Sequence, residues 1–569
     1  MKNKIKDYLI ILFFAIIISI PLISKDFNIY GDDGIQHIAR LMGTSQSISE
    51  GQIIPVIMSK FCNGFGYSWN IFYSPFTAYF PLIFDIFTNS FEIILKLFML
   101  LISFASGIAM YEFVAKVTKN RYAGLLGAAI YIFAPYRLTD MYMRIAIAEL
   151  ASFIFIPITF HGMYNIFHAE EKNTKKSLVL TLGAAGLILT HIVIAMYVAI
   201  LCLIYLLINI KQLKDKQILK MLGINILLIL LLTSFYTLPM LEHKLTTDYE
   251  VFMPGRMERT EELIRNKVDF IDLLYTKQNN FSFEIGLVSI IGIVLTLLAY
   301  KKVNKVDRKI YWFSLISGIA CIILSLRFFP FEKLPSILKM IQFTFRLLEF
   351  STFFLAFVAA INYSLVIKNF NMKDVAVLSL IAFLLIVPLK KNLNYDKKWS
   401  EDKLWPAVEV NENTGRVHAG CATFEYLPSK AFENIDYIKT RENRVYVLKG
   451  NALIDDEEKN GTNMLFEFSK AEENTEIELP YIYYLGYKVE IIDSNGNIET
   501  VDTFESDNGF VAFKLSDIYE GSVKVKYTGT LLMRISYVIS SITFVAIIVV
   551  LIAVSIKKHH LKMSQNSKK

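Results

Sequence analysis

Apolar runs long enough to cross a bilayer recur from one end of this chain to the other. A hydrocarbon layer of roughly 30 Å takes about 17–25 residues of helix. About twelve such runs can be marked, near 8–24, 92–115, 121–136, 146–167, 177–190, 191–209, 219–240, 283–300, 309–326, 346–367, 373–389 and 533–556. Lipid satisfies no backbone polar group, so each run must close its hydrogen bonds internally as a helix. Hydrophobic residues make up 54% of the 569 and charged residues only 20%, with a mean hydropathy of +0.43. An ordinary soluble enzyme is thereby excluded, and an all-α polytopic integral membrane protein of about 12 transmembrane helices is expected. The stretch 177–209 is too long for one span and short for two.

Loop charge orients these spans, because basic residues collect on short cytoplasmic loops. Lys2, Lys4 and Lys6 precede the first span, and Lys116, Lys119 and Arg121 separate the second from the third. Lys172 to Lys176, Lys211 to Lys220, Lys301 to Lys309, Lys368 with Lys373, and the tail from Lys557 continue the alternation. Both termini are then cytoplasmic in a plasma membrane, and 25–91, 241–282 and 390–532 face outward. The first run is a retained span, since no small-residue cleavage site follows it. The alternation requires that 76–88 not cross, and its Pro75, Pro81 and Asp85 suit an interfacial or re-entrant piece.

Three regions follow: a membrane domain over 1–389, an extracytoplasmic domain over 390–532, and a last span with a basic tail over 533–569. The middle region changes character. RVYVLKG, NMLFEFSK, TEIELPYIYYLGYKVEII, GFVAFKL and SVKVKYTG alternate polar and apolar residues between Asn/Gly turns, the pattern of a β-sandwich-like domain. Lys391 to Thr530 holds 16 Lys and Arg against 26 Asp and Glu, a net −10, so the remainder carries +17 of the total +7. Loop topology accounts for the basic excess, and a nucleic-acid partner is not needed. Four scattered cysteines exclude a disulfide scaffold and a Cys-based metal centre. Cys62 and Cys421 fall in outward segments, where a bridge is open to them, although unpaired thiols are the expectation.

Polar groups at the margins of the apolar runs carry the functional information, because a charge at the bilayer centre costs about 2.5–3.5 kcal/mol or more. The run GDDGIQHIAR follows the first span. A helix starting at Asp32 or Asp33 puts Asp33, His37 and Arg40 on one face, where a carboxylate could act as a general base. The alternatives are a capping aspartate in a solvated loop, or metal ligation by Asp32, Asp33 and His37. A second cluster, Arg137, Asp140, Arg144 and Glu149, lies between the third and fourth spans. Arginine forks suit phosphate oxygens, yet these arginines could equally pair with the acids beside them. His191 sits at the joint of 177–209, open to phosphate contact or to an interhelical hydrogen bond. Arg346 and Glu349, three apart at the start of a span, either neutralise each other or leave Arg346 for phosphate. A loop with Glu250, Arg256, Arg259, Glu261 and Arg265 is open as a substrate lid or a solvated helix. No Walker A, GxGxxG, HExxH or GxSxG motif occurs, which removes ATP-driven transport, nicotinamide chemistry and zinc proteolysis.

GDDGIQHIAR, EGQIIPVIMSKFCNGFGYSWNIFYSPFTAYFPLIF and RYAGLLGAAIYIFAPYRLTDMYMRIAIAELASFIFIPITFHGMY together resemble bacterial membrane proteins of the YfhO type. They equally resemble the membrane family labelled as 6-pyruvoyl-tetrahydropterin-synthase-related, and through both the GT-C superfamily of glycosyltransferases. The likeness covers about 1 to 390, and LPYIYYLGYKVEI resembles the last strands of the YfhO-type outer domain. It implies a GT-C-like membrane domain that moves a sugar, with inversion, from a polyprenyl-phosphate carrier to a cell-surface polymer or glycan. Asp32 or Asp33 would then be the catalytic base, and Arg137, Arg144 and Arg346 would stabilise the leaving phosphate, with no obligatory metal or other cofactor. His37, Arg40, Asp140, Glu149 and His191 complete the expected substrate-binding set. A transporter or flippase of lipid-linked saccharide, and a non-catalytic envelope assembly protein, are the competing classes.

Overall fold

The computed structural model describes residues 2–24, 27–29, 31–168, 172–276, 281–304, 307–367, 380–386, 408–411, 416–419, 424–515 and 518–566. Among them, seven helices are long and apolar enough to cross a membrane: Lys4–Ile23, Phe91–Thr118, Ile147–Phe167, Lys216–Thr246, Arg308–Ser325, Thr344–Val366 and Leu531–Val550. The expected twelve are therefore not all full-length spans, and the reason is local. The third run folds only over Arg121–Ile132, because Pro135 disfavours helix in the residue before it. The stretch 177–209 is two helices, Val179–Thr190 and Ile192–Ile208, broken at His191, whose backbone is extended at φ −157°. Leu287–Val294 and Thr296–Ala299 are likewise short. Phe76–Ile86 is an α turn followed by a tighter 3-10 segment around Pro81, too short to span. Of the run 373–389 only 380–386 are described, and Lys305, Lys368 and Lys373 fall outside the described residues.

Burial separates central helices from peripheral ones. Thr344–Val366 is 94% enclosed and Ile147–Phe167 83%, against 28% for Lys216–Thr246 and 22% for Leu531–Val550. Phenylalanines join the central pair, with Phe353 stacked on Phe160 at 5.2 Å and Phe357 on Phe113 at 4.8 Å. Glycine sets the approach of Ile147–Phe167 to Val179–Thr190, as small residues do between helices in lipid. A Cβ on Gly183 would lie 2.4 Å from the Thr159 nitrogen, and one on Gly162 2.3 Å from that of Leu180.

The basic loops meet at one end of the bundle. Lys4 donates to Glu112 at 2.8 Å and Tyr111 to Asp7 at 2.6 Å, with Arg121 also on Asp7. Lys172 pairs with Asp215, and Lys309 reaches Asn209 at 3.4 Å. These contacts put the loops before 8, around 119, around 173 and around 212 on one side together, as alternation of the spans requires.

At the opposite end sits a β domain of two antiparallel sheets. In one, Tyr446–Lys449, Glu476–Ile482, Phe510–Lys514 and Phe504–Glu505 are neighbours in that order. In the other, Gly521–Tyr527 is central, paired to Asn463–Ser469 and Tyr487–Asp493. The two sheets share one core: Ile477, Leu479 and Phe513 from the first meet Phe466, Ile491 and Val523 from the second. This is a sandwich, with period-two alternation feeding that core.

The domain docks on residues 56–72. The Ile482 amide donates to the Phe65 carbonyl at 2.9 Å, and Lys459 Nζ donates to the Gly64 and Pro480 carbonyls at 2.6 and 2.8 Å. Arg441, buried beside Glu478 at 3.2 Å, lies 5.4 Å from the Phe65 ring. Cys62 in this segment is disulfide-bonded, which corrects the expectation of unpaired thiols for it; Cys202 and Cys321 are free, and Cys421 is outside the described residues. The loop with Arg256 and Arg259 braces the same junction and is not a detached lid: Arg259 binds Glu425 at 2.8 Å and Arg256 pairs with Glu250.

Close helix approach generates a clear expectation. Gly183→Leu should lower stability by about 1–3 kcal/mol through overpacking, whereas Gly223→Ala, which meets no atom within 4 Å, should leave it unchanged. Unfolding temperatures of the purified protein in detergent measure both; equal behaviour of the two variants would remove glycine contact as the determinant of this interface.

Candidate functional site

The acidic run after the first span folds as the spacing predicts. Helix Gly34–Ser49 starts with Asp33 at its N-cap, and the His37 amide donates to the Asp33 carbonyl at 3.1 Å. The loop before it packs against the turn that carries Arg144. The Asp33 amide donates to the Arg144 carbonyl at 2.8 Å, and a Cβ on Gly31 would fall 2.4 Å from the Ile145 side chain. Gly31 and Gly34 thus flank the aspartates because the Ile145 side chain and the Ile29 carbonyl leave no room for a Cβ.

That turn is unusual. Pro135–Thr139 is a short helix, Asp140–Arg144 a π turn, and Ile145 follows in the left-handed region at φ 54°. A buried β-branched residue there is strained, and such strain persists only where the surroundings enforce it. The turn delivers Arg144 to Glu149, in the first turn of Ile147–Phe167. Arg144 Nη1 donates to Glu149 Oε2 and to Asp140 Oδ1, both at 2.6 Å, and Nη2 donates to Glu149 Oε1 at 2.7 Å. Arg346 Nε donates to Glu149 Oε1 at 2.6 Å, and the Tyr136 hydroxyl reaches Oε2 at 3.3 Å.

Glu149 is therefore held by a bidentate fork, a second guanidinium and a phenol. Arg144 lies over the Phe345 ring at 5.0 Å and Arg346 over Phe343 at 4.9 Å, and these two rings stack, 4° from parallel. Arg346 also donates to the Ile341 carbonyl at 2.9 Å and to Gln342 Oε1 at 2.6 Å. The expected neutralisation of Arg346 by Glu349 does not occur. Glu349 instead meets the Ser152 hydroxyl, and its other oxygen is buried without a hydrogen bond.

Of the acidic pair, Asp33 is the one that faces this cluster. Its Oδ2 is 3.9 Å from Arg144 Nη2, and its side chain keeps 43% of its surface open. Enclosure by surrounding protein, only partly offset by the Arg144 charge, pushes its pKa up to about 6. Asp32 is half-buried in the turn. His37 is pushed down to about 3, first by burial and then by the Arg40 charge, so it is neutral at physiological pH. Asp32, Asp33 and His37 do not form a ligand set; among the described residues no three His, Cys, Asp or Glu converge as metal ligands would.

Two arginines of the expected substrate-binding set, Arg40 and Arg137, are held by neighbouring protein groups. Arg40 is 2% exposed and spends its donors on Asn70 Oδ1 at 2.9 Å, Thr77 Oγ1 at 3.4 Å and the Tyr73 and Ser74 carbonyls at 2.9 and 3.0 Å. Arg137, fully buried, binds the Ile132 carbonyl at 3.1 Å and Ser103 at 3.0 Å. His191 caps Ile192–Ile208, its Nδ1 accepting from the Ile194 amide at 3.4 Å, which only a neutral ring can do. Tyr73 had no sequence signal. Its ring lies 4.6 Å under Arg40 and 6.4 Å from His37, forming the wall beside Asp33.

Residues 71–395 match the family described as 6-pyruvoyl-tetrahydropterin synthase related domain; membrane protein. The chain belongs to this family of membrane proteins. The match takes in the Arg144–Glu149–Arg346 cluster and stops short of the acidic pair. A protein of Lactococcus lactis subsp. cremoris (strain MG1363), described as uncharacterized, is 24% identical over 613 aligned residues, covering 98% of this chain and 97% of its own. The likeness thus runs through both the membrane and the β domain.

Arg40→Lys replaces a fork by a point charge and leaves several of these acceptors unmet. A loss of about 1–3 kcal/mol is expected, with faster proteolysis within 70–77; unchanged stability and cleavage would show that the fork does not hold this segment.

Proposed function

We propose that this protein transfers a sugar, with inversion, from a polyprenyl-phosphate-linked donor to a cell-surface acceptor on the outer face of the plasma membrane. The supporting observation is Asp33, a partly open carboxylate raised to about 6 and held 3.9 Å from Arg144. A general base works best when its pKa lies near the operating pH. Asp33 takes the proton of the acceptor hydroxyl, whose oxygen attacks the anomeric carbon while the bond to the lipid phosphate breaks and its electron pair leaves with the phosphate. Arg144 and Arg346 stabilise the charge that grows there. No step uses a metal ion. The β domain, on the same side as Asp33, shapes the approach of the acceptor, and both termini lie in the cytoplasm.

A carrier of lipid-linked saccharide is the second reading, favoured by one observation. Both arginines are already matched by Glu149, which suits reversible exchange of an anion.

Transfer from synthetic polyprenyl-phosphate sugars in proteoliposomes separates the two. Asp33→Asn should abolish turnover while donor binding persists, and Asp32→Asn should keep most of it. The base must be ionised, so activity should rise with pH through about 6 and level off above. Movement of the intact donor across the bilayer without transfer would replace the enzyme reading by the carrier.

A further inference from the structure

Glu149 is bound as a ligand is bound. Three guanidinium donors and a phenol converge on its carboxylate, the fork geometry that also fits phosphate oxygens. The arginines do not depend on Glu149 for their positions. Arg144 is held by Asp140 and the Phe345 ring, and Arg346 by Gln342, the Ile341 carbonyl and the Phe343 ring. Removing the carboxylate therefore leaves a preformed anion seat whose open side is the Asp33 carboxylate.

The acids around the seat outnumber its cations. Asp33, Asp140, Glu149 and Glu349 surround Arg144 and Arg346, and the histidines nearest in space, His37 and His191, are neutral. The hydrogen bonds show how Glu349 is accommodated. The single proton of the Ser152 hydroxyl lies between the Glu149 backbone carbonyl, at 2.5 Å, and the Glu349 carboxyl. Glu349 accepts from Ser152, and its other oxygen is buried without a hydrogen bond. A buried carboxylate deprived of its cations has to take up a proton.

We propose that Glu149 is a built-in occupant of the phosphate seat, displaced when a phosphate monoester binds, and that its displacement draws one proton from solution. This deepens the reading above and rests on it for the identity of the ligand. With phosphate on both arginines, Glu149 has lost its cations and takes up a proton. One proton is then taken up for each phosphate bound, and the charge change in the buried cluster is limited accordingly. The seat can pass between occupied and empty states without exposing two bare guanidinium groups.

Binding of farnesyl phosphate to the full-length protein in phosphatidylcholine nanodiscs tests this between pH 7.5 and 8.5. Over that range Asp33, raised to about 6, and the phosphate, with a second pKa of about 6, are already ionised. Uptake of one proton makes affinity fall about tenfold per pH unit. Glu149→Gln should bind at least as tightly as the unaltered protein at pH 7.5 and lose the pH slope, while Arg144→Gln should lose binding. A flat slope in the unaltered protein, or loss of binding in Glu149→Gln equal to that in Arg144→Gln, overturns the proposal. Should Glu149→Gln fail to give a monodisperse protein, the slope of the unaltered protein decides alone. Inorganic phosphate in a parallel titration distinguishes the source: the same slope assigns the seat to phosphate in general, and a slope with farnesyl phosphate alone assigns it to a lipid headgroup. Sugar transfer is scored on the same nanodiscs, so that a proton-linked seat without transfer rejects the glycosyltransferase and keeps the seat, and transfer with a flat slope does the reverse.

Discussion

A carboxylate enclosed by protein is tolerable only where donors surround it, and most of the architecture on the β-domain side supplies donors to Glu149. An unpaired buried charge costs several kcal/mol, so the elements that meet there are not free to separate. The π turn Asp140–Arg144 contributes the fork, the short helix at Pro135 contributes Tyr136, and the start of the most enclosed helix contributes Arg346. Asp33 joins through the Arg144 backbone and side chain. The left-handed Ile145 is the local consequence: the chain must reverse within one residue to bring Arg144 back over Glu149.

The β domain enters the same network indirectly. It grips 56–72 through Lys459 and Arg441. The following residues, 70–77, are those Arg40 pins to helix Gly34–Ser49. One continuous segment thus connects the β domain to the helix whose N-cap is Asp33, through hydrogen bonds, a buried ion pair and cation–π contacts.

What could be read in the sequence follows from which interactions are local. Period-two alternation marks the β domain because a strand's two faces meet different environments within a few residues. The Asp33 helix start was legible for the same reason. Twelve apolar runs were legible as runs and not as spans, since Pro135 and the extended His191 end helices without interrupting hydrophobicity. Arg346 and Glu349 misled through their spacing of three: neighbours on a helix need not bond when a residue 197 positions away offers a better partner. Arg144 pairs with Asp140 and Glu149, as internal pairing within that loop allowed, but the π turn that brings them together has no residue pattern of its own. For Cys62 the sequence left a bridge open beside the expected free thiol, because cysteine spacing alone does not show which thiols meet.

Charge pairing and helix packing are finally one constraint. Arg144–Glu149 is made within a short stretch, but Arg346–Glu149 holds only while Thr344–Val366 keeps its height against Ile147–Phe167. The same helix is fixed against Val179–Thr190, where Gly162 and Gly183 allow backbone contact and Gly186 accommodates the Phe155 ring. A shift of one helical residue, about 1.5 Å along the axis, exceeds what a 2.6 Å hydrogen bond can absorb. Glycine contacts in the middle of the bundle therefore set the position of a guanidinium at its end, and close packing among the enclosed helices is a condition of the charge cluster rather than a background to it.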